Sequence, residues 1–199
     1  MAPYRGSVEL LLAAANGQIW DATSTLFSVG SGFSSDRWQV ANHSQKLVWV
    51  NGVDAPQVFD GATLTAANFT GSPGTFTAPS MWGVNSFKGR MFYWAKNAQS
   101  FWYATAGSYQ GVMAKFDMAA QLQTGGSLVQ MVTWTLDSGS GIDDLAVFIF
   151  STGETLVYQG NDPGDANAWS LIGRFQIGEP LGPRAHAKVG GTEIILTKD

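Results

Sequence analysis

Unbroken apolar runs recur along the chain, and each is closed by a turn signal. Residues 10–15 read Leu-Leu-Leu-Ala-Ala-Ala and are followed by Asn16-Gly17. Residues 47–50 read Leu-Val-Trp-Val, then Asn51-Gly52. Residues 91–95 read Met-Phe-Tyr-Trp-Ala, then Lys96-Asn97. Residues 145–150 read Leu-Ala-Val-Phe-Ile-Phe, then Thr152-Gly153. A last run, Ile194-Ile195-Leu196, precedes Lys198-Asp199. Runs this short, bounded by turn residues, fit strands buried on both faces. Asn-Gly is a strong hairpin signal, because a tight turn puts both of its central residues at positive φ. After the first four turns comes a short second strand: Ile19-Trp20, Val58-Phe59, Phe101-Trp102-Tyr103 and Leu156-Val157-Tyr158. Such β-branched and aromatic residues suit a half-buried pleated surface.

A further strand is expected before each later hairpin: residues 37–40, 81–84, 129–136 and 184–189. Aligning Trp38, Trp82, Trp134 and His186 gives steps of 44, 52 and 52 residues. Propeller blades repeat at about 40 to 50 residues. Fourth strands are expected at residues 64–69, 112–118 and 169–177, with a short helix in competition at residues 115–122. The expectation is an all-β fold, a β-propeller or partial propeller of four-stranded antiparallel blades. Residues 1–199 then form one propeller-like domain, or a fragment of a longer propeller chain. A β-sandwich of irregular hairpins is the alternative. The recurrence of the same order of strand types favours blades. On this reading the chain opens and closes on the same strand type, at residues 9–14 and 193–197, which leaves an open arc or a ring closed only by a partner copy.

Composition narrows the picture. Hydrophobic residues are 45% and aromatic residues 13%, which excludes disorder. Charged residues are only 13%, about half the share in an ordinary soluble domain. A surface rich in Ser, Thr, Asn and Gln, or one covered by neighbouring chains, accounts for that. The net charge is −4 without any Lys/Arg cluster, so the basic footprint of a nucleic-acid binder is missing. With Cys at 0, disulfide frameworks and cysteine zinc sites are excluded. The Leu10–Ala15 run is too short to cross a bilayer. It has the look of a signal-peptide core, but it leads straight into the first hairpin, so no membrane insertion is expected.

The chemistry-bearing residues are scattered. The two histidines, His43 and His186, lie on different repeats, His43 expected in a turn and His186 in a strand, so a His-based metal site is not expected. No Gly-x-Ser-x-Gly elbow follows a strand, and Ser138-Gly139-Ser140-Gly141 reads as a turn. Asp143-Asp144 precede a strand and read as solvated loop residues. As strand neighbours they would face opposite ways in any case. Asn161-Asp162-Pro163-Gly164-Asp165 reads as a turn lacking the ligand set of a calcium loop. Glycosidases need paired carboxylates, and the four Glu and five Arg occur singly. Trp38, Trp49, Trp82, Trp94, Trp102 and Trp134 are expected to pack between blades. Trp20, Tyr109 and Trp169 are the candidates for an exposed, sugar-binding face. No catalytic, cofactor-binding or metal residue is assigned, and no cofactor is expected.

Two segments carry a resemblance. Residues 148–160 (Phe-Ile-Phe-Ser-Thr-Gly-Glu-Thr-Leu-Val-Tyr-Gln-Gly) lead into Asn161-Asp162-Pro163-Gly164-Asp165 and Trp169. Residues 175–182 (Phe-Gln-Ile-Gly-Glu-Pro-Leu-Gly) are followed by residues 191–199 (Gly-Thr-Glu-Ile-Ile-Leu-Thr-Lys-Asp). Together with residues 47–52 and 58–61 they resemble the propeller proteins of short-tailed bacteriophage tails, of nozzle or tail-hub type. Those proteins are usually much longer. The resemblance implies a non-catalytic structural part of the virion, made in the bacterial host cytoplasm. It implies a ring around the DNA exit channel, with further copies of the chain and other tail proteins as partners. DNA would pass without specific binding, which an acidic lining favours. The alternatives are a lectin-like carbohydrate-binding propeller and a glycosidase or sialidase-like fragment.

Overall fold

The computed structural model describes residues 1–70, 77–137, 142–189 and 192–198. It is all-β, and its strands form four four-stranded antiparallel sheets and one two-stranded sheet. The first sheet has the order β1 (Ala2–Arg5), β2 (Glu9–Ala15), β3 (Gln18–Asp21), β4 (Phe27–Ser31). The second is β5 (Gln39–His43), β6 (Lys46–Val50), β7 (Gln57–Phe59), β8 (Leu64–Ala66). The third is β9 (Met81–Phe87), β10 (Arg90–Ala95), β11 (Ser100–Ala104), β12 (Met113–Asp117). The fourth is β13 (Leu128–Asp137), β14 (Ile142–Phe150), β15 (Glu154–Gly160), β16 (Trp169–Gln176). The last pair is β17 (His186–Val189) with β18 (Thr192–Ile195).

Each of the first four apolar runs is the second strand of a four-stranded sheet, hydrogen-bonded on both sides, while the last lies in β18, which pairs with β17. Leu47–Val50, Met91–Trp94 and Leu145–Phe150 are buried throughout, as continuous apolarity requires. The three runs stand in three different sheets, which excludes two stacked sheets with all of them in one layer.

Several expectations need correction. The first sheet is complete, because Ala2–Arg5 pairs along β2 from Ala2↔Leu12 to Arg5↔Glu9. A strand containing Pro3 and Arg5 carries no apolar run, so pattern alone passes over it. It holds because Ala2 and Tyr4 alternate inward and bury almost completely. The chain therefore opens on a first strand, and its two ends do not duplicate each other. Of the four expected hairpin turns, only Asn16-Gly17 has both residues at positive φ, 54° and 68°. Among the described residues the other two-residue hairpin turns of this kind are Ser44-Gln45 (47°, 58°) and Lys88-Gly89 (42°, 75°), each between the first and second strands of its sheet. Asn51 instead starts a loop, where its Oδ1 accepts the N–H of Val53 and of Asp54. Residues 115–122 are not a helix. β12 runs to Asp117, and a single 3-10 turn follows at Ala119–Gln121. Asp143 and Asp144 lie within β14, opposite Leu136 and Thr135, and not in a loop before it. The turn expected at residues 138–141 lies outside the described residues.

The chain divides into two compact units, Met1–Tyr93 with Trp102–Ala114, and Trp94–Phe101 with Lys115–Asp199. In the first, Tyr4, Leu12 and Ile19 pack with Trp38, Leu47, Trp49 and Phe59. Trp38, which precedes β5, sits edge-on between Phe33 (5.1 Å) and Trp49 (6.2 Å). In the second, one face of β13–β16 meets an aromatic stack. Phe148 lies parallel to Phe101 at 4.8 Å, and Tyr158 is stacked on Trp169 at 5.2 Å. Its other face gathers Val132, Leu145, Val147, Ile149 and Val157 beneath Ile177 and Ile195.

Candidate functional site

One device recurs where the second and third strands of a sheet meet. In each four-stranded sheet this turn is tied by a backbone hydrogen bond to the chain leaving for the next strand group. The Phe33 N–H donates to the Gly17 carbonyl, Gly52 to Met81, Leu128 to Ala98 and Ile177 to Gly153, at 2.7–3.0 Å. Two of the turns also carry a carboxylate that grips the incoming chain. Asp54 accepts the N–H of Ser34 (2.9 Å) and of Ser35 (3.3 Å), together with the Asn51 amide (2.7 Å). Glu154, only 4% exposed, accepts the N–H of Gln123 and of Thr124 and the Thr124 hydroxyl, each at 2.8 Å.

These carboxylates are structural anions. Burial pushes the Glu154 pKa up, but the N–H donors of Thr124 and Gln123 and the Thr124 hydroxyl outweigh it, with Arg174 adding to them. The result lies below the ordinary 4.5. Asp54 behaves alike: burial raises its pKa, and the bonds from Asn51, Ser34 and Ser35 bring it below 3.8. Held in the ionised form by fixed donors, neither group is poised to move a proton near neutrality.

The histidines stay apart. His43 is the last residue of β5 and not a turn residue. It is 7% exposed, and its Nδ1 lies 2.9 Å from the Ser86 hydroxyl. Burial lowers its pKa below 6.5, partly offset by the Gly107 carbonyl. A neutral imidazole beside a serine has the composition of a nucleophile–base pair. Among the described residues no carboxylate orients this one, and the ring contacts the hydroxyl through Nδ1. His186 begins β17 and bonds Glu193 through Nδ1. In the Asn161–Asp165 segment, Asp162 accepts the Gly164 N–H and Asp165 the Asn167 N–H, so both carboxylates close their own turn. Among the described residues no group of three or more His, Asp or Glu could hold a metal ion. Among the described residues no helix is long and apolar enough to cross a membrane.

The aromatic expectations divide. Trp38, Trp49, Trp94 and Trp102 are buried as expected. Trp169, expected exposed near a turn, is 5% exposed against Tyr158, whose hydroxyl pKa burial pushes up to about 12, partly offset by Arg174. Trp134, expected buried, is 38% exposed. It lines a groove of about 300 Å³ with Val132, Val147, Thr192, Glu193 and Ile195. That groove escapes sequence reasoning because it depends on how far β18 covers β13 and β14. The one signal was alternation: Val132 and Trp134 share a strand face. A smaller cleft of about 200 Å³ lies over the Glu154 clasp, between Thr124, Arg174, Phe175 and Gln176. No family model matches the chain, and no curated protein matches it either.

Two outcomes follow. Replacing Glu154 by Gln keeps the shape but sets an amide N–H₂ against the donors of Gln123 and Thr124. It should cost roughly 2–3 kcal/mol in urea unfolding at pH 7. The acid dependence should have two separate parts. His43 has a depressed folded pKa, so its contribution is complete above 6.5 and is lost as pH falls below that value. The Glu154 and Asp54 contributions are lost only as pH falls below about 4.5 and 3.8 respectively. Melting temperature followed from pH 8 to pH 3 should fall first just below pH 6.5. The variant His43→Gln should lose that first fall and keep the second.

Proposed function

We propose that this chain is a non-catalytic structural module whose four-stranded sheets are propeller blades, and that it serves as a nozzle or hub component of a bacteriophage tail. The observation that carries the reading is the recurrence of one design. A four-stranded antiparallel meander appears four times, three times around a buried second strand, each tied onward through its middle turn. A module whose carboxylates and turns are spent on joining one sheet to the next is built for rigidity. The tail assignment rests on the resemblance of residues 148–169 and 175–199 to short-tailed phage propellers. It agrees with a weakly charged, acidic chain that has no basic patch to hold passing DNA. The partners on this reading are further copies of the chain and other tail proteins, in the virion.

The carbohydrate-binding alternative loses a candidate with the burial of Trp169. The exposed Trp134 shares its groove with Val132, Val147 and Ile195 and with two polar residues, Thr192 and Glu193, of which Glu193 is bonded to His186.

The purified protein should form rings or tail-like assemblies in negative stain and show no turnover on a panel of chromogenic glycosides and sialosides. Isolated particles that turn over one of those substrates, with the activity abolished by a single Asp or Glu substitution, would overturn the proposal.

A further inference from the structure

The dipeptide Asn-Gly occurs at residues 16–17 and again at residues 51–52, and the fold treats the two copies differently. Such a pair invites attack of the glycine nitrogen on the asparagine side chain, because glycine has no Cβ to shield that nitrogen. Asn51 is only 8% exposed, and its side chain is bonded at every polar atom. Its Nδ2 donates to the Ser35 carbonyl (3.1 Å) and to Asp54 (2.7 Å), and its Oδ1 accepts the N–H of Val53 (3.0 Å) and of Asp54 (2.8 Å). The Gly52 N–H is held on the Met81 carbonyl at 2.9 Å. Neither reacting group of this pair can turn toward the other without breaking that set. Asn16 is exposed in the turn between β2 and β3, and its side chain has no hydrogen-bond partner among the described residues. The Gly17 nitrogen is restrained by one bond, in which its N–H donates to Oδ1 of the exposed Asp36 at 2.8 Å.

We propose that Asn16 is a site of spontaneous deamidation and that Asp36 guards it. In the reaction the Gly17 nitrogen bonds to Asn16 Cγ, and the Cγ–Nδ2 bond breaks. The Gly17 proton leaves with Nδ2 as ammonia, and a cyclic imide remains. Water then opens the imide at either carbonyl, giving an aspartate at position 16 or its isomer linked through the side chain. Water is the only co-reactant. In the folded turn the Gly17 N–H is committed to Asp36, so attack waits for that exposed bond to open. The negative carboxylate also opposes loss of the proton from the nitrogen it holds. The consequence reaches past the turn. The Gly17 carbonyl accepts the Phe33 N–H (3.0 Å), which is the tie from the first sheet to the chain entering the second. The side-chain-linked isomer inserts an extra backbone carbon before Gly17 and carries this carbonyl out of line. The first tie between sheets therefore has a chemical lifetime, and Asp36 sets it. This goes beyond the assembly reading above and holds whatever the module joins.

Peptide mapping by mass spectrometry tests this on the intact chain aged in mildly alkaline buffer. In the folded protein Asn16 should convert at least about tenfold faster than Asn51, while the urea-unfolded chain should convert both at similar rates. Asp36→Ala should speed conversion at Asn16 at least about threefold. Asp36→Asn, which keeps an acceptor without the charge, should fall between that variant and the wild type. Aged wild-type protein should melt about 2–4 °C below fresh protein. Asn16→Gly keeps the positive φ and has no amide to lose, so its fresh and aged samples should melt alike. A folded chain in which Asn51 converts as fast as Asn16, or in which Asn16 does not convert, overturns the proposal. An Asp36→Ala rate equal to or below that of the wild type removes the guard. Converted protein that melts with the fresh sample would sink the lifetime of the tie.

Discussion

A strand that is apolar on both faces has to be covered twice, and the rest of this structure follows from that requirement. Hydrogen-bonded neighbours on either side satisfy the backbone of β6, β10 and β14, but they leave the two side-chain faces bare. For a run such as Leu47–Val50 or Leu145–Phe150, burying four to six side chains at about 1.5–3 kcal/mol each is the largest single stabilising term available. It is realised only if something packs above and something packs below. Within the first unit Tyr4, Leu12 and Ile19 of one sheet meet Leu47, Trp49 and Phe59 of the next. In the second, Phe148 lies on Phe101 and Val147 lies under the cover that includes Ile195. A single sheet with such a strand cannot stand alone, so the design repeats.

Repetition creates a second requirement, which the turns meet. Successive sheets must be held in sequence by short connections whose backbone groups would otherwise be left without partners. The four hydrogen bonds from the middle turns, and the carboxylates of Asp54 and Glu154 on the incoming chain, use the same few residues to close a turn and to fix a connection. This explains why Asp54 and Glu154 sit where they do in a weakly charged protein. It also explains why their pKa values are displaced away from the range useful for catalysis. At the β17–β18 pair the described residues supply two strands, and there the cover thins. Trp134, Ile194 and Leu196 are exposed, and a groove opens over Val132 and Val147.

The parts of the fold that were legible in the sequence are those where pattern and physics coincide. The runs at 47–50, 91–95 and 145–150 were identifiable as buried second strands, because no polar residue interrupts them. The third strands followed from the aromatic pairs after each turn. What escaped was set by context. Ala2–Arg5 has no apolar run and is a strand only because β2 offers it an edge. Asn51 resembles a hairpin residue, but its side chain bonds the loop that follows. Trp134 and Trp169 have similar local sequences and opposite burial, because one lies at the thin end of the cover and the other stacks on Tyr158. Of the candidate site, the scatter of the histidines was readable. The Glu154 clasp was not, since its donors lie some thirty residues away in the chain.

Amide hydrogen exchange on the intact chain measures the covering directly. The account predicts that the amides of β6, β10 and β14 are the slowest to exchange, all three in the same stability range. Those of β17 and β18 should exchange faster than the four complete sheets at low protein concentration. Uniform protection across the eighteen described strands, or a second strand such as β10 exchanging as fast as the edge strands of its sheet, β9 and β12, would contradict it.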